Sequence, residues 1–129
     1  MRLARFSLIG LLGAVLQLSS LQLMTQYFHV RGLLAAAAAV EITLLHNFIW
    51  HEKFTWRDRT SKGLPQRIIR LWRFHLGNGF VSLFGNTVLI YFLAERLKLP
   101  VLSSAVAAIG LCSLANFLLA DRWVYPAPG

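Results

Sequence analysis

One carboxylate, Glu41, lies in the middle of an apolar run that extends from about Gly32 to Trp50. At that depth a charge costs roughly 3 kcal/mol or more unless it is protonated, paired or wetted, which makes Glu41 a functional candidate by default. Gln17 and Asn86 fall at similar depth in two other apolar runs. Both can hydrogen-bond a carboxylate. The purely structural alternative is a protonated interhelical contact, but Asn or Ser would make such a lock with less desolvation.

A second group gathers where the apolar runs end. Thr43, His46, Asn47 and Trp50 recur at helical spacing on the face opposite Glu41. With Arg5, His51, Lys53, Arg73, His75, Asn78, Asn116 and Arg122 they make a belt of donors. Arg and Lys give charge-assisted bonds to phosphate, and Asn or His adds directional ones, so the belt suits an anionic headgroup. The same residue types also anchor helices at an interface. Anchoring accounts best for Trp50, Trp56, Trp72, Trp123 and Tyr125, whereas for Arg5, Arg73, Asn47 and Asn116 a binding site and a structural cap both stay open.

Other chemistry is poorly supported. His46, His51 and His75 lack tight ligand spacing on one helix and have no cysteine partner, so neither a metal nor a cofactor is expected. Ser/His/Asp arrangements, paired carboxylates and a Gly-rich phosphate loop after a strand are lacking, which argues against a glycosyltransferase or hydrolase and against an enzyme. Cys112 stands alone in an apolar run and reads as a small core residue.

The elements that position these residues follow from composition. Of the 129 residues 57% are hydrophobic and 14% charged, and the mean hydropathy is +0.58. That places the chain in a membrane. The net charge of +8 sits beside apolar segments, so it fits a membrane surface and not a nucleic acid. Four spans are predicted, at about 6–28, 32–50, 74–93 and 101–120, each long enough at 1.5 Å per residue to cross roughly 30 Å of hydrocarbon. Pro65 opens a short amphipathic helix, about 65–73, with Gln66, Arg67, Arg70 and Arg73 on one side and Ile68, Ile69 and Trp72 on the other. Such a helix is expected to lie flat in the headgroups. The first apolar run is too long for a signal-peptide core, and five alanines, Ala35 to Ala39, allow a neighbouring helix to approach closely.

The chain also repeats itself. Asn47 to Trp56 (Asn-Phe-Ile-Trp-His-Glu-Lys-Phe-Thr-Trp) returns as Asn116 to Tyr125 (Asn-Phe-Leu-Leu-Ala-Asp-Arg-Trp-Val-Tyr), and Arg2, Leu3, Arg5, Phe6 and Leu8 return as Arg70, Leu71, Arg73, Phe74 and Leu76. The expected fold is therefore an all-α membrane protein of four transmembrane helices, built from two parallel two-helix repeats over 1–62 and 63–129, with the interfacial helix between them. Arg2, Arg5, Lys53, Arg57, Arg59, Lys62, Arg67, Arg70, Arg73 and Arg122 lie on one side, against Arg31, Arg96 and Lys98 on the other. By the positive-inside rule both termini are cytoplasmic, and two-span repeats entering from the same side are related by an axis along the membrane normal.

The Arg-Phe openings, the Asn-Phe closing motifs with their acid, base and aromatics, the four spans and the length together resemble the GtrA-like family of small bacterial membrane proteins, across nearly the whole chain. The resemblance implies a role in cell-envelope polysaccharide synthesis: moving a polyprenyl-phosphate-linked monosaccharide, such as undecaprenyl phosphate glucose, from the cytoplasmic to the outer leaflet of the inner membrane. It also implies glycosyltransferases of the same pathway as partners. Carried over to this chain, the family's motif residues are Arg5, Phe6, Asn47, Phe48, Lys53, Trp56, Arg73, Phe74, Asn116, Phe117, Arg122 and Trp123. The small residue that often follows Arg-Phe is displaced here to Gly10 in the first copy and to Gly77 and Gly79 in the second.

On this reading Arg5, Lys53, Arg73 and Arg122 attract the phosphodiester, His46, Asn47, Asn78 and Asn116 bond phosphate or sugar, and Glu41, Gln17 and Asn86 line a polar passage. Four helices enclose little space, so a homo-oligomer or a groove open to membrane lipids is expected. Two alternatives remain: a non-catalytic accessory subunit of a polyprenyl-phosphate glycosyltransferase, and a small proton-coupled multidrug exporter. The second is disfavoured by the position of the glutamate and by the strong charge bias.

Overall fold

The computed structural model describes residues 1–60 and 63–129, and among these the regular structure is all helical. Ser61 and Lys62, where the first repeat is expected to close, lie outside the described residues. Four helical stretches are long and apolar enough to cross a membrane: Arg2–Gln26, Gly32–Thr55, Leu64–Arg96 and Val101–Val124. Helices suit this setting because each satisfies its own backbone hydrogen bonds without water. Large side chains such as Leu11, Leu18, Leu33 and Leu102 are 65%, 67%, 85% and 78% exposed. Apolar surface on that scale requires lipid around it. This is a membrane protein.

The chain divides into two compact units, Met1–Asp58 and Arg59–Gly129. In the first, α1 (Arg2–Gln26) and α2 (Gly32–Trp50) pack as a hairpin. Its core is a stripe of small residues at every fourth position of α2, Ala35, Ala39 and Thr43, with Phe6, Ile9 and Gly13 on α1. Of the five alanines only Ala35 and Ala39 are buried; four apart, they share the helix face turned to α1. The Thr43 hydroxyl donates to the Ala39 carbonyl at 2.8 Å and reaches the Gly13 carbonyl at 3.5 Å. Gly13 leaves room for the Asn47 amide; a Cβ there would stand 2.9 Å from Asn47 Cγ. The helix does not stop at Trp50, where the second span was expected to end. It runs on through a widened turn, His51–Thr55, closed by Trp56 N–H donating to the His51 carbonyl at 2.9 Å.

The second unit uses the same devices. Here α3 (Leu64–Phe80), a widened turn (Val81–Gly85), α4 (Asn86–Tyr91) and a second widened turn (Phe92–Arg96) follow one another without a gap, and α5 is Val101–Leu119. On α5 the buried stripe is Ser104, Ala108 and Cys112, the counterparts of Ala35, Ala39 and Thr43. Gly85 supplies the close approach, since a Cβ there would lie 3.1 Å from Cys112 Sγ. The end is again a widened turn, Ala120–Val124, with Tyr125 N–H donating to the Ala120 carbonyl at 2.8 Å. Trp56 and Tyr125, equivalent in the two motifs, are both fully buried.

One expectation needs revision. No break separates an interfacial helix ending at Arg73 from a span beginning at Phe74, because α3 passes through both residues. Neither Gly nor Pro lies there to end a helix, so the amphipathic turns and the apolar ones share an axis. Arg70, placed by its spacing on the polar face, is buried.

Each hairpin reverses through a non-glycine residue in the left-handed region, His29 at φ 53° and Lys98 at φ 55°. The closing bonds match as well: Val30 N–H donates to the Met24 carbonyl at 3.0 Å, and Leu99 N–H to the Leu93 carbonyl at 3.1 Å. Left-handed backbone costs an L-residue about 1–2 kcal/mol. Lys98→Gly is therefore expected to hold or raise the thermal unfolding temperature in detergent, and Lys98→Val to lower it by the equivalent of about 1 kcal/mol or more.

Candidate functional site

The last carbonyls of a helix have no partner within it. At the end of the first unit the partner comes from α1: Arg5 Nη1 donates to the Phe54 carbonyl at 3.2 Å, while Arg2 pairs with Asp58. A cation at a helix C-terminus also complements the helix dipole. Beneath this cap Phe6 stacks on His51, with ring centroids 4.7 Å apart, and meets the edge of Trp56 at 5.9 Å. The His51 ring is held in turn by a 3.1 Å hydrogen bond with Thr55. The structural-cap role left open for Arg5 is thus realised.

Arg5 does more than cap. With Trp50, Glu52, Lys53, Phe54, Arg57 and Asp58 it lines an open cavity of about 1130 Å³. Trp50 and Phe54, four residues apart across the widened turn, stack at 5.0 Å, and the Lys53 ammonium lies 5.9 Å from the Trp50 ring. A second, apolar slot of about 240 Å³ is lined by Arg5, Leu8, Ile9, Leu12, Trp50 and Phe54. Helical spacing puts Arg5, Leu8, Ile9 and Leu12 on one face of α1. Arg5, Trp50 and Phe54 line both spaces, so a polar mouth carrying three cations adjoins a greasy slot. That arrangement fits an amphiphile with an anionic head.

The other candidates of the first unit stand apart from this cavity. Asn47 packs on Gly13 and shares a 3.1 Å hydrogen bond with His46 Nδ1, so it serves the helix contact. Glu41 is exposed on α2, nine residues before Trp50, or roughly 13 Å along the helix axis. Gln17 is half-buried on α1.

In the second unit Arg73 repeats the cap, donating to the Trp123 carbonyl at 3.1 Å with its guanidinium 5.8 Å from the Trp123 ring. Arg59 adds to it: its Nη1 reaches the Asp121 carboxylate at 2.9 Å and the carbonyls of Asp121 and Tyr125 at 3.1 and 3.0 Å. Asn78 Nδ2 donates to the Phe74 carbonyl of its own helix at 3.3 Å. Arg122 is exposed. The side-chain oxygens of Asn86 and Asn116 are buried with no hydrogen-bond partner, leaving two acceptors at positions where an unmet polar group is costly. Among the described residues no group of three His, Cys, Asp or Glu side chains could hold a metal ion.

Of the sequence-predicted residues, then, Arg5 and Lys53 share one cavity. Sequence reasoning missed Glu52, Phe54, Arg57 and Asp58 as lining residues, favoured anchoring for Trp50, and read Leu8, Ile9 and Leu12 as span. Continuing the helix past Trp50 was the usable signal, since it puts Phe54 one turn beyond Trp50.

The family described as GtrA/DPMS, transmembrane domain, matches residues 5–125. No curated protein matches the chain. The family match connects this membrane protein with the handling of lipid-linked sugars in glycosylation. The caps themselves are testable in detergent. Arg59→Gln is expected to lower stability by about 1–3 kcal/mol, the usual cost of losing charge-assisted bonds, and Gly13→Val to destabilise by a similar ~1–3 kcal/mol through overpacking against Asn47.

Proposed function

Because the chain belongs to the GtrA/DPMS transmembrane-domain family, we propose that it moves a polyprenyl-phosphate-linked monosaccharide from the cytoplasmic to the outer leaflet of the bacterial inner membrane. The observation that carries this reading is the polar cavity joined to the apolar slot through Arg5, Trp50 and Phe54. Arg5, Lys53 and Arg57 attract the phosphodiester, the Trp50 and Phe54 rings offer a face to the sugar or the first isoprene, and Glu52 accepts hydroxyl hydrogens. The slot beside them takes the start of the prenyl chain.

From the cavity the headgroup has to climb roughly 13 Å to reach the level of Glu41. A carboxylate at that depth wets the path and accepts hydroxyl hydrogens there. The protein performs no bond chemistry. Both termini are cytoplasmic, and glycosyltransferases make the lipid-linked sugar on one side and consume it on the other. A passage wider than one chain provides comes from a homo-oligomer or from a groove open to membrane lipids.

The test is movement of a polyprenyl-phosphate sugar across proteoliposomes that contain only this protein. The wild type is expected to move it, and Glu41→Gln and Lys53→Ala to slow it by about tenfold or more, the scale of one charge-assisted contact. Wild-type movement that neither variant changes would sink the residue roles. No movement by any of them would shift the reading to an accessory subunit of a glycosyltransferase.

A further inference from the structure

The closing motifs share a scaffold but not a cavity wall. Trp50 corresponds to Leu119, Arg57 to Pro126 and Asp58 to Ala127. The second half thus lacks the indole that stacks on Phe54, the third cation and the partner of Arg2 at the matching positions. Its backbone end is also occupied from within. Arg59 spans the Asp121 and Tyr125 carbonyls, and Arg73 is spent on the Trp123 carbonyl and ring. Arg5 caps the Phe54 carbonyl in the same way, so the difference between the halves lies in Trp50 and Arg57, whose matching positions hold Leu119 and Pro126.

We propose that each chain carries one lipid-phosphate site, in its first half, for a phosphate ester on a single prenyl chain, and that the second copy of the motif is a scaffold. The identity of the lipid rests on the transport reading above; the number and place of the sites do not. Charge argues for the phosphate, since Arg5, Lys53 and Arg57 line one cavity against two carboxylates, Glu52 and Asp58, and Asp58 is paired with Arg2. Size argues for one chain: the slot of about 240 Å³ falls below the roughly 300–1,000 Å³ of a drug-sized ligand pocket. It takes the first part of one hydrocarbon chain and leaves the rest in the bilayer. A two-chain phospholipid presents the same phosphate chemistry but has a second chain to place.

Native mass spectrometry of the purified full chain in detergent, titrated with undecaprenyl phosphate, reads the site directly. One lipid per chain is expected. Trp50→Leu and Arg57→Gln should each weaken binding by about tenfold, as loss of a stacked or charge-assisted partner does, while Leu119→Ala leaves it unchanged and thermal unfolding confirms that all variants are folded. In a second arm phosphatidylglycerol is added as competitor and should fail to displace the prenyl phosphate at equal concentration. Two lipids per chain, unchanged binding in both first-half variants, or displacement by phosphatidylglycerol would overturn the proposal. A chain that binds one prenyl phosphate but moves none in proteoliposomes keeps the site and loses the transport reading.

Discussion

The structure depends on arginines that cap the ends of helices from a neighbouring helix. When the last turn of a helix widens, its carbonyls lose their usual intrahelical partners and must find others. Arg5 takes the Phe54 carbonyl in the first unit and Arg73 the Trp123 carbonyl in the second. In hydrocarbon, apolar contact between helices gains little over contact with lipid, so directional bonds and close packing of small residues have to hold each hairpin together. The stripes Ala35, Ala39, Thr43 and Ser104, Ala108, Cys112 provide the close packing. The capping arginines provide the direction.

The caps also explain why the candidate site lies where it does. A guanidinium brought to a helix end is already oriented, and in the first unit it faces a cavity with Lys53 and Arg57. Trp50 and Phe54 are presented on that cavity only because the widened turn continues the helix beyond Trp50. Structure and site share the same bond, so Arg5 has two roles that cannot be varied independently. Lys53 and Arg57 are exposed on the same cavity.

Duplication supplies a scaffold twice and leaves one copy able to diverge. Phe6 and Phe74, Trp56 and Tyr125, and Ala39 and Ala108 are buried in step, because the hairpin needs them wherever it occurs. Residues facing outward are under no such demand. There the copies differ, with Glu41 against Gly110, Trp50 against Leu119 and Arg57 against Pro126. Polar asymmetry on a symmetric apolar frame is what a single binding site per chain requires.

Composition and spacing alone determined the membrane setting, the four spans and the doubled motif, because hydrocarbon imposes length and hydropathy on any helix that crosses it. Arg5 and Lys53 stood out for a related reason: charge beside an apolar run is conspicuous. Tertiary structure decided the rest. It put Asn47 on Gly13, carried α3 through the expected boundary at Arg73, buried Arg70, and made a slot of Leu8, Ile9 and Leu12. Those outcomes turn on which face of a helix meets its neighbour and on where a turn widens by one residue. A nearly uniform apolar sequence encodes both weakly, since in a membrane the buried and lipid-facing sides of a helix are equally hydrophobic.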